Sequence, residues 1–344
     1  MTTKAALAET RWFHSTEAAN RRRSPVFILG CPRSGTTWLY HMLLSAGDFA
    51  IYRSESNVFN LLVPRFGGMR SLRDREELMA HWIRSKLYRV SGLSLNAIQA
   101  RVIEDCRNGG DFLRMTMEAV AESQGVKRWA DCTPEHLLHI PEIKREIPNA
   151  LIVHIIRDGR DVALSYLKQG WSFPLPWDRR ERLSVAGLYW EWIVRRGREY
   201  GRALGDDYHE LHFEALVTEP RETLARLSRF VGQDLDYEQI QQTGIGSVSL
   251  PNSSFADESG EKFRPTERWR TRMSNEEIGT FESLCGEFLA RLGYPLVSGN
   301  EQRRNLHAMR MRATYLPMFA AKLWFKSRTP LGRLVHTGRL QIEG

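Results

Sequence analysis

Apolar residues along this chain follow two rhythms. Residues 26–29 (VFIL) form a short continuous apolar run, rich in β-formers and stopped by Gly30, the pattern of a buried strand. Over 36–46 the apolar side chains Leu39, Met42, Leu43 and Ala46 recur at helical spacing. Residues 70–124 are mostly helical in pattern, with turn signals at Gly92 and Gly109-Gly110. A second continuous run at 151–156 (LIVHII) predicts another buried strand, followed by the charged turn RDGRD and a helix from about Val162. Val185, Leu188, Tyr189, Trp192, Ile193 and Tyr200 predict a long amphipathic helix over 184–204. Residues 208–213 read as a third strand and 215–231 as a helix. A Gly/Ser/Pro-rich loop spans 243–265, and Ser274 with Glu277 has capping-box spacing before a helix ending near Gly293. Strands alternating with helices predict an α/β fold with a mostly parallel sheet flanked by helices. The chain divides into a polar lead-in (1–24), one domain with a helical insertion (25–298) and a basic, amphipathic, helical C-terminal extension (299–344).

Composition narrows the class. Of 344 residues, 42% are hydrophobic and 26% charged, ordinary for a globular chain, and no apolar run approaches the ~20 residues of a membrane span. The N-terminus carries Glu9 and Glu17 and lacks an apolar core segment, against a secretory signal. Cys31, Cys106, Cys132 and Cys285 show neither CxxC pairing nor zinc spacing; they read as free thiols in a reducing compartment, with the cytoplasm as the expectation. The formal net charge is +8, of which +7 falls after residue 300. The body is therefore not expected to bind nucleic acid, and any anion site in it must be local.

The sharpest candidate is Gly30-Cys-Pro-Arg-Ser-Gly-Thr-Thr37, between the first strand and first helix. Its G-x4-G-T-T spacing matches a phosphate loop, except that Thr36 stands where G-x4-G-K-[ST] has lysine. Such a loop wraps an anion with backbone N–H groups at a helix N-terminus. Arg33 adds a cation; Ser34, Thr36 and Thr37 add hydroxyls. A plain N-cap after a tight turn would use similar residues, but three hydroxyls and an arginine around Gly35 favour the anion site and a P-loop-type sheet. The missing lysine, with which ATP-using enzymes reach the β- and γ-phosphates beside Mg²⁺, argues against an ordinary kinase.

Arg157-Asp-Gly-Arg-Asp161 follows the second strand, with Ser165 two turns into the next helix. Alone it would read as a salt-bridged turn. Paired with the first loop, Arg157 and Ser165 can converge on a second phosphate at the carboxyl edge of the sheet.

With these elements together, the chain resembles the sulfotransferases that use 3′-phosphoadenosine 5′-phosphosulfate (PAPS). CPRSGTTWL resembles their 5′-phosphosulfate loop, and IIRDGRDVALSY resembles their 3′-phosphate motif. The likeness is to the broad bacterial branch related to tyrosylprotein and carbohydrate sulfotransferases; RWADCTPEHLLHIPEIKREIPNA and ERWRTRMSNEE are similar to that branch too, so it spans about residues 25–295. The resemblance implies PAPS as donor, its 5′-phosphosulfate held by Arg33, Ser34, Gly35, Thr36 and Thr37, its 3′-phosphate by Arg157 and Ser165. It implies Trp38 against adenine, where a core tryptophan is the alternative. Arg268 and Arg270, flanking Trp269, fall where a late basic segment completes the nucleotide site, although arginines before a helix are also commonly just exposed.

Sulfuryl transfer needs a stabilised leaving phosphate, which loop amides and Arg33 can supply, and a base for the acceptor proton. It requires no metal in principle. The tyrosylprotein-type relatives imply Glu55, in IYRSESN, as that base; a surface ion pair with Arg53 is the alternative. His154 reads as core, while His136 and His139 read as packed or exposed, with substrate contact less favoured. One departure stands out: Cys132 replaces a lysine that in many relatives stabilises the bridging oxygen. Either Arg33 and the amides suffice, or Lys127 or Arg128 substitutes. A P-loop kinase or NTPase and a catalytically weak nucleotide-binding relative remain as competing readings. The acceptor, whether glycan, lipid, peptide or small molecule, is not legible; its pocket would come from 58–125 and 243–265. The extension mixes positive charge with Leu316, Phe319, Trp324 and Phe325. It reads as a helix packed on the body, as an interfacial helix at the inner membrane surface, or as a docking surface for an anionic acceptor.

Overall fold

The computed structural model describes residues 21–246, 248, 265–297 and 306–329. Most of the lead-in and most of the 243–265 loop lie outside the described residues, as do 298–305 and 330–344. Four strands, β1 (Val26–Gly30), β2 (Ala130–Asp131), β3 (Leu151–Ile156) and β4 (Tyr208–His212), form one sheet in the order β2-β1-β3-β4. All three pairings are parallel, with Val26 opposite Leu151 and Ile152 opposite Tyr208. Every residue of β1 and β3 is buried. That is why both strands are continuous apolar runs without alternation: helices cover both faces of the sheet.

The two faces feed separate cores. Phe27, Leu29, Ile152 and Ile156 pack with the helix Gly109–Ser123 and with α3 (Arg182–Arg202) and α4 (Asn275–Arg291). Val26, Ile28, Val153 and Ile155 pack with Leu39, Met42 and Leu43 of α1 (Thr36–Ser45) and with Leu224 and Leu227 of the helix Pro220–Val231. The insertion between α1 and β2 is helical, with Leu72–Trp82, Leu95–Asp105 and Gly109–Ser123 as its longer members.

Several boundaries move from expectation for identifiable reasons. The helix expected from about Val162 is α2 (Gly159–Lys168), which starts earlier because the Asp158 carboxylate accepts from the Arg160 amide and caps it. The helix expected over 215–231 is two, Phe213–Thr218 and Pro220–Val231, because Pro220 disfavours helical backbone at Glu219. The β2 strand is too short to show periodicity and was not expected. At Ser274 both reciprocal bonds of the capping box form.

The extension is largely α5 (Leu306–Arg328). Its Ala308, Met311, Tyr315 and Phe319 are buried in the larger core. Arg312 grips Glu191 of α3 with both ends of its fork, at 2.7 and 2.8 Å. Tyr315 donates to Asp178 (3.0 Å) and accepts from the Leu175 amide (2.9 Å). The packed-helix reading therefore holds for this face. Pro317 sits on the exposed side and leaves the helix continuous. No described helix is long and apolar enough to cross a membrane.

Candidate nucleotide and transfer site

The β1 strand delivers the phosphate loop to the carboxyl edge of the sheet. Two backbone features shape it. Arg33 has φ 73°, a left-handed conformation that costs a non-glycine residue about 1–2 kcal/mol. Gly35 has φ 94°, and a Cβ there would stand 2.3 Å from the Phe213 ring. Gly35 is also the N-cap of α1, so no side chain accepts from the first-turn N–H groups of that helix. These donors and the positive end of the helix dipole face the same point. The Ser34 hydroxyl is buried and has no hydrogen-bond partner among the described residues. An anion accepting from these groups answers both features.

The second motif converges on the first. Arg33 Nε donates to Ser165 Oγ at 2.9 Å, and Arg157 Nη1 donates to the Arg33 carbonyl at 3.0 Å. The Arg157 guanidinium lies 4.4 Å over Phe213, the ring that crowds Gly35. Arg268 joins the pair: burial, and then the charge of Arg157, push its pKa down to about 10. Burial and Arg157 likewise lower Arg33. Arginines crowded together in this way mark a candidate place for negative charge.

The RDGRD turn divides its arginines. Arg157 faces the loop, whereas Arg160 is fully buried against Asp158 (2.7 Å), Glu282 (2.8 Å) and the Trp269 ring (3.6 Å). The salt-bridged reading of this turn thus holds for both arginines, since Arg157 also pairs with Asp161 at 3.6 Å, but only Arg157 reaches the phosphate loop. Arg270 pairs with Glu267 at 2.9 Å and lies 4.4 Å over Trp269. Trp38 is buried, donates through Nε1 to the Val248 carbonyl (2.7 Å) and meets Phe213 edge-on. Its N–H is thereby spent on the backbone. Thr37 is exposed and Thr36 buried.

Glu55 is exposed on the segment after α1. Its charge reaches Cys132: burial, then Asp131, then Glu55 hold that thiol well above its usual range, against a hydrogen bond from Thr36. Cys132 therefore stays a neutral thiol. Arg128 does not replace the absent lysine. It lies at the amino end of β2, donating to the carbonyls of Ser24 (3.0 Å), Arg21 (2.8 Å) and Val231 (2.7 Å), opposite the edge where the loop stands. Lys127 beside it is exposed.

A buried network holds the Glu55 segment, and sequence reasoning missed it. Phe59 N donates to His136 Nε2 (3.1 Å), so Nδ1 carries the proton and donates to Asp131 (2.9 Å). Thr133 Oγ1 accepts from the Ser56 amide (2.9 Å) and donates to Asp131 (3.2 Å). Burial alone would raise Asp131, but His136 and the hydroxyls hold it below the usual carboxylate range. The signal was the D-x-T-x-x-H spacing in DCTPEH. His154 is core, as expected, bonded to the Tyr208 hydroxyl at 2.6 Å.

Glu214 behind the cluster yields a pH dependence. It accepts from the Asp158 amide and the Tyr294 hydroxyl, both at 2.9 Å, and burial pushes its pKa up to about 7 from an ordinary 4.5. The folded chain then keeps a proton that the unfolded chain has lost, so stability falls as pH rises from about 4.5 to 7, by on the order of 3 kcal/mol. Glu214→Gln should flatten that slope in thermal melts; a slope equal to that of the parent would place the titrating group elsewhere.

The comparisons with known proteins agree in direction. Residues 25–237 match the Sulfotransferase family. The chain is 26% identical to nodulation protein NoeE of Sinorhizobium fredii over 309 residues, 78% of this chain and 65% of that protein. It is 23% identical to protein-tyrosine sulfotransferase A of Caenorhabditis elegans over 290 residues, 81% of this chain and 70% of that protein. Carbohydrate sulfotransferase 4 of Mus musculus is 28% identical over 118 residues, 33% of this chain and only 30% of that protein. The chain thus spans less than two thirds of the length of two of these three relatives. The family match runs from the first residue before β1 to beyond β4 and takes in both anion motifs, and on that extent this chain belongs to the sulfotransferase family.

Proposed function

We propose that this protein transfers a sulfuryl group from PAPS to a hydroxyl or amine of an acceptor. One observation carries the reading: Arg33 and Ser165, 132 positions apart, are hydrogen-bonded, with Arg157 on the Arg33 carbonyl, so two anion-binding motifs share one groove. PAPS, when bound, supplies the sulfuryl group and a 3′-phosphate that ATP lacks. The first-turn amides of α1, with Arg33, Ser34, Thr36 and Thr37, hold the 5′ end; Arg157 and Ser165, with Arg268 adding charge, hold the 3′ end. Trp38 and Arg270 border this site, Trp38 through Phe213 and Arg270 through Trp269.

Charge develops on the leaving phosphate, and the fixed loop amides and Arg33 oppose it without reorganisation. Cys132 brings no charge, so Arg33 does the electrostatic work that a lysine does in many relatives. Glu55, exposed and electrostatically coupled to Cys132 beside the loop, accepts the acceptor proton. The acceptor is a hydroxyl- or amine-bearing glycan, lipid, peptide or small molecule.

Calorimetry with 3′-phosphoadenosine 5′-phosphate (PAP) against ATP tests the donor. PAP should bind at least about tenfold more tightly, one charge-assisted contact being worth about 1.5–3 kcal/mol. A clear preference for ATP would instead favour a P-loop kinase or NTPase. Labelled-sulfate transfer to mixed acceptors separates an active enzyme from a nucleotide-binding relative without activity.

A further inference from the structure

The α5 helix has a second apolar face. Opposite its buried side, Leu306, Met309, Ala313, Pro317, Ala321 and Trp324 are exposed at successive three- and four-residue steps, with the exposed Phe325 next to Trp324. Leu306 is 85%, Met309 53% and Trp324 61% exposed, where a helix packed on a globular body would ordinarily turn polar side chains outward. The neighbouring 171–177 loop, tied to α5 through the Leu175–Tyr315 and Asp178–Arg310 contacts, adds further exposed apolar side chains. There Trp177 is 72% and Phe173 68% exposed. Seven of the ten large exposed hydrophobic residues of the described chain belong to this helix and this loop. An apolar surface so concentrated marks a contact surface.

The charges beside it choose the partner. From Leu306 to Arg328 the helix contains no acidic residue. Arg328 is exposed on this face, four residues after Trp324, and the exposed Arg179 and Arg180 follow Trp177. Asp178, the one acid in this part of the loop, is buried and neutralised by Arg310 at 2.7 Å. A second copy meeting this face about a two-fold axis would set these cations against their own equivalents. A surface with scattered negative headgroups complements them instead. Trp and Phe set among basic residues on a helix about 34 Å long suit the boundary between headgroups and acyl chains.

We propose that this face docks the protein on an anionic lipid bilayer. At its inner end Trp171, 44% exposed, lies 5.9 Å from the Arg33 guanidinium, so docking brings the mouth of the phosphate-loop groove towards the membrane. The inference stands apart from the donor assignment. Deleting α5 is no test, because its other face is core. The test is co-sedimentation of the full chain with phosphatidylcholine vesicles, with and without phosphatidylglycerol.

The parent chain should sediment with the anionic vesicles and be released by salt. Trp177→Ser/Trp324→Ser/Phe325→Ser should bind them about tenfold less, with PAP affinity unchanged as proof of folding. Arg179→Glu/Arg180→Glu/Arg328→Glu should lose binding as well, without touching an apolar residue, and Ile51→Ser, an exposed residue elsewhere, should bind like the parent. No sedimentation of the parent, or equal sedimentation of both triple variants, overturns the proposal. So does a light-scattering mass of two chains that the Trp/Phe variant reduces to one, which would make the face a contact between copies. PAP binding that persists through any of these outcomes leaves the donor reading intact.

Discussion

Arg157→Ala should weaken PAP binding by about 10- to 100-fold and ATP binding far less, measured by calorimetry. Hydrogen bonds to a charged group are worth about 1.5–3 kcal/mol, which corresponds to that range. The loss is incomplete because Arg268 lies close enough for its own pKa to feel Arg157, and it keeps positive charge in the groove. Arg157→Lys should recover only part: an ammonium retains the charge but not the planar fork that holds the Arg33 carbonyl and stacks on Phe213. The comparison of ligands carries the test. Equal losses for PAP and ATP would mean that Arg157 shapes the loop without touching a 3′-phosphate, and the two-clamp assignment would fall.

Glu55→Gln should lower kcat for sulfate transfer by about 10²–10⁴-fold, the range for removing a positioned base, with PAP affinity unchanged. The substitution keeps side-chain size and hydrogen-bonding capacity and removes only basicity. Because Glu55 is exposed, stability should move by less than about 0.5 kcal/mol, so folding does not confound the result. A kcat within twofold of the parent would return Glu55 to the surface ion-pair reading. Asp131→Asn offers a contrast, since it leaves Glu55 in place but disturbs the His136 and Thr133 bonds that fix its segment.

How much could be read beforehand follows from the range of the forces involved. The continuous runs at 26–29 and 151–156 announced strands covered on both faces, since every side chain in them but His154 is apolar, and His154 finds its partner in the Tyr208 hydroxyl. The capping box at Ser274 was equally plain because its donors and acceptors lie three residues apart. The loop from Gly30 to Thr37 stood out as a candidate anion site through spacing alone: glycine, hydroxyl and helix start are consecutive in the chain.

Where the partners lie far apart in sequence, only the tertiary structure decided. Nothing within RDGRD separates Arg157 from Arg160; Phe213 and the Arg33 carbonyl draw one towards the phosphate loop, while Glu282 and Trp269 hold the other in the core. Arg128 looked able to stand in for the missing lysine until the parallel register put it at the opposite end of the sheet. The apolar residues of the last helix could not be sorted into buried and exposed faces by periodicity, because a helix apolar all round shows no stripe until a neighbour covers one side. Residue types and short spacings determined which groups this protein owns. The fold determined which of them meet, because the direction of a side chain is set by whatever packs against it.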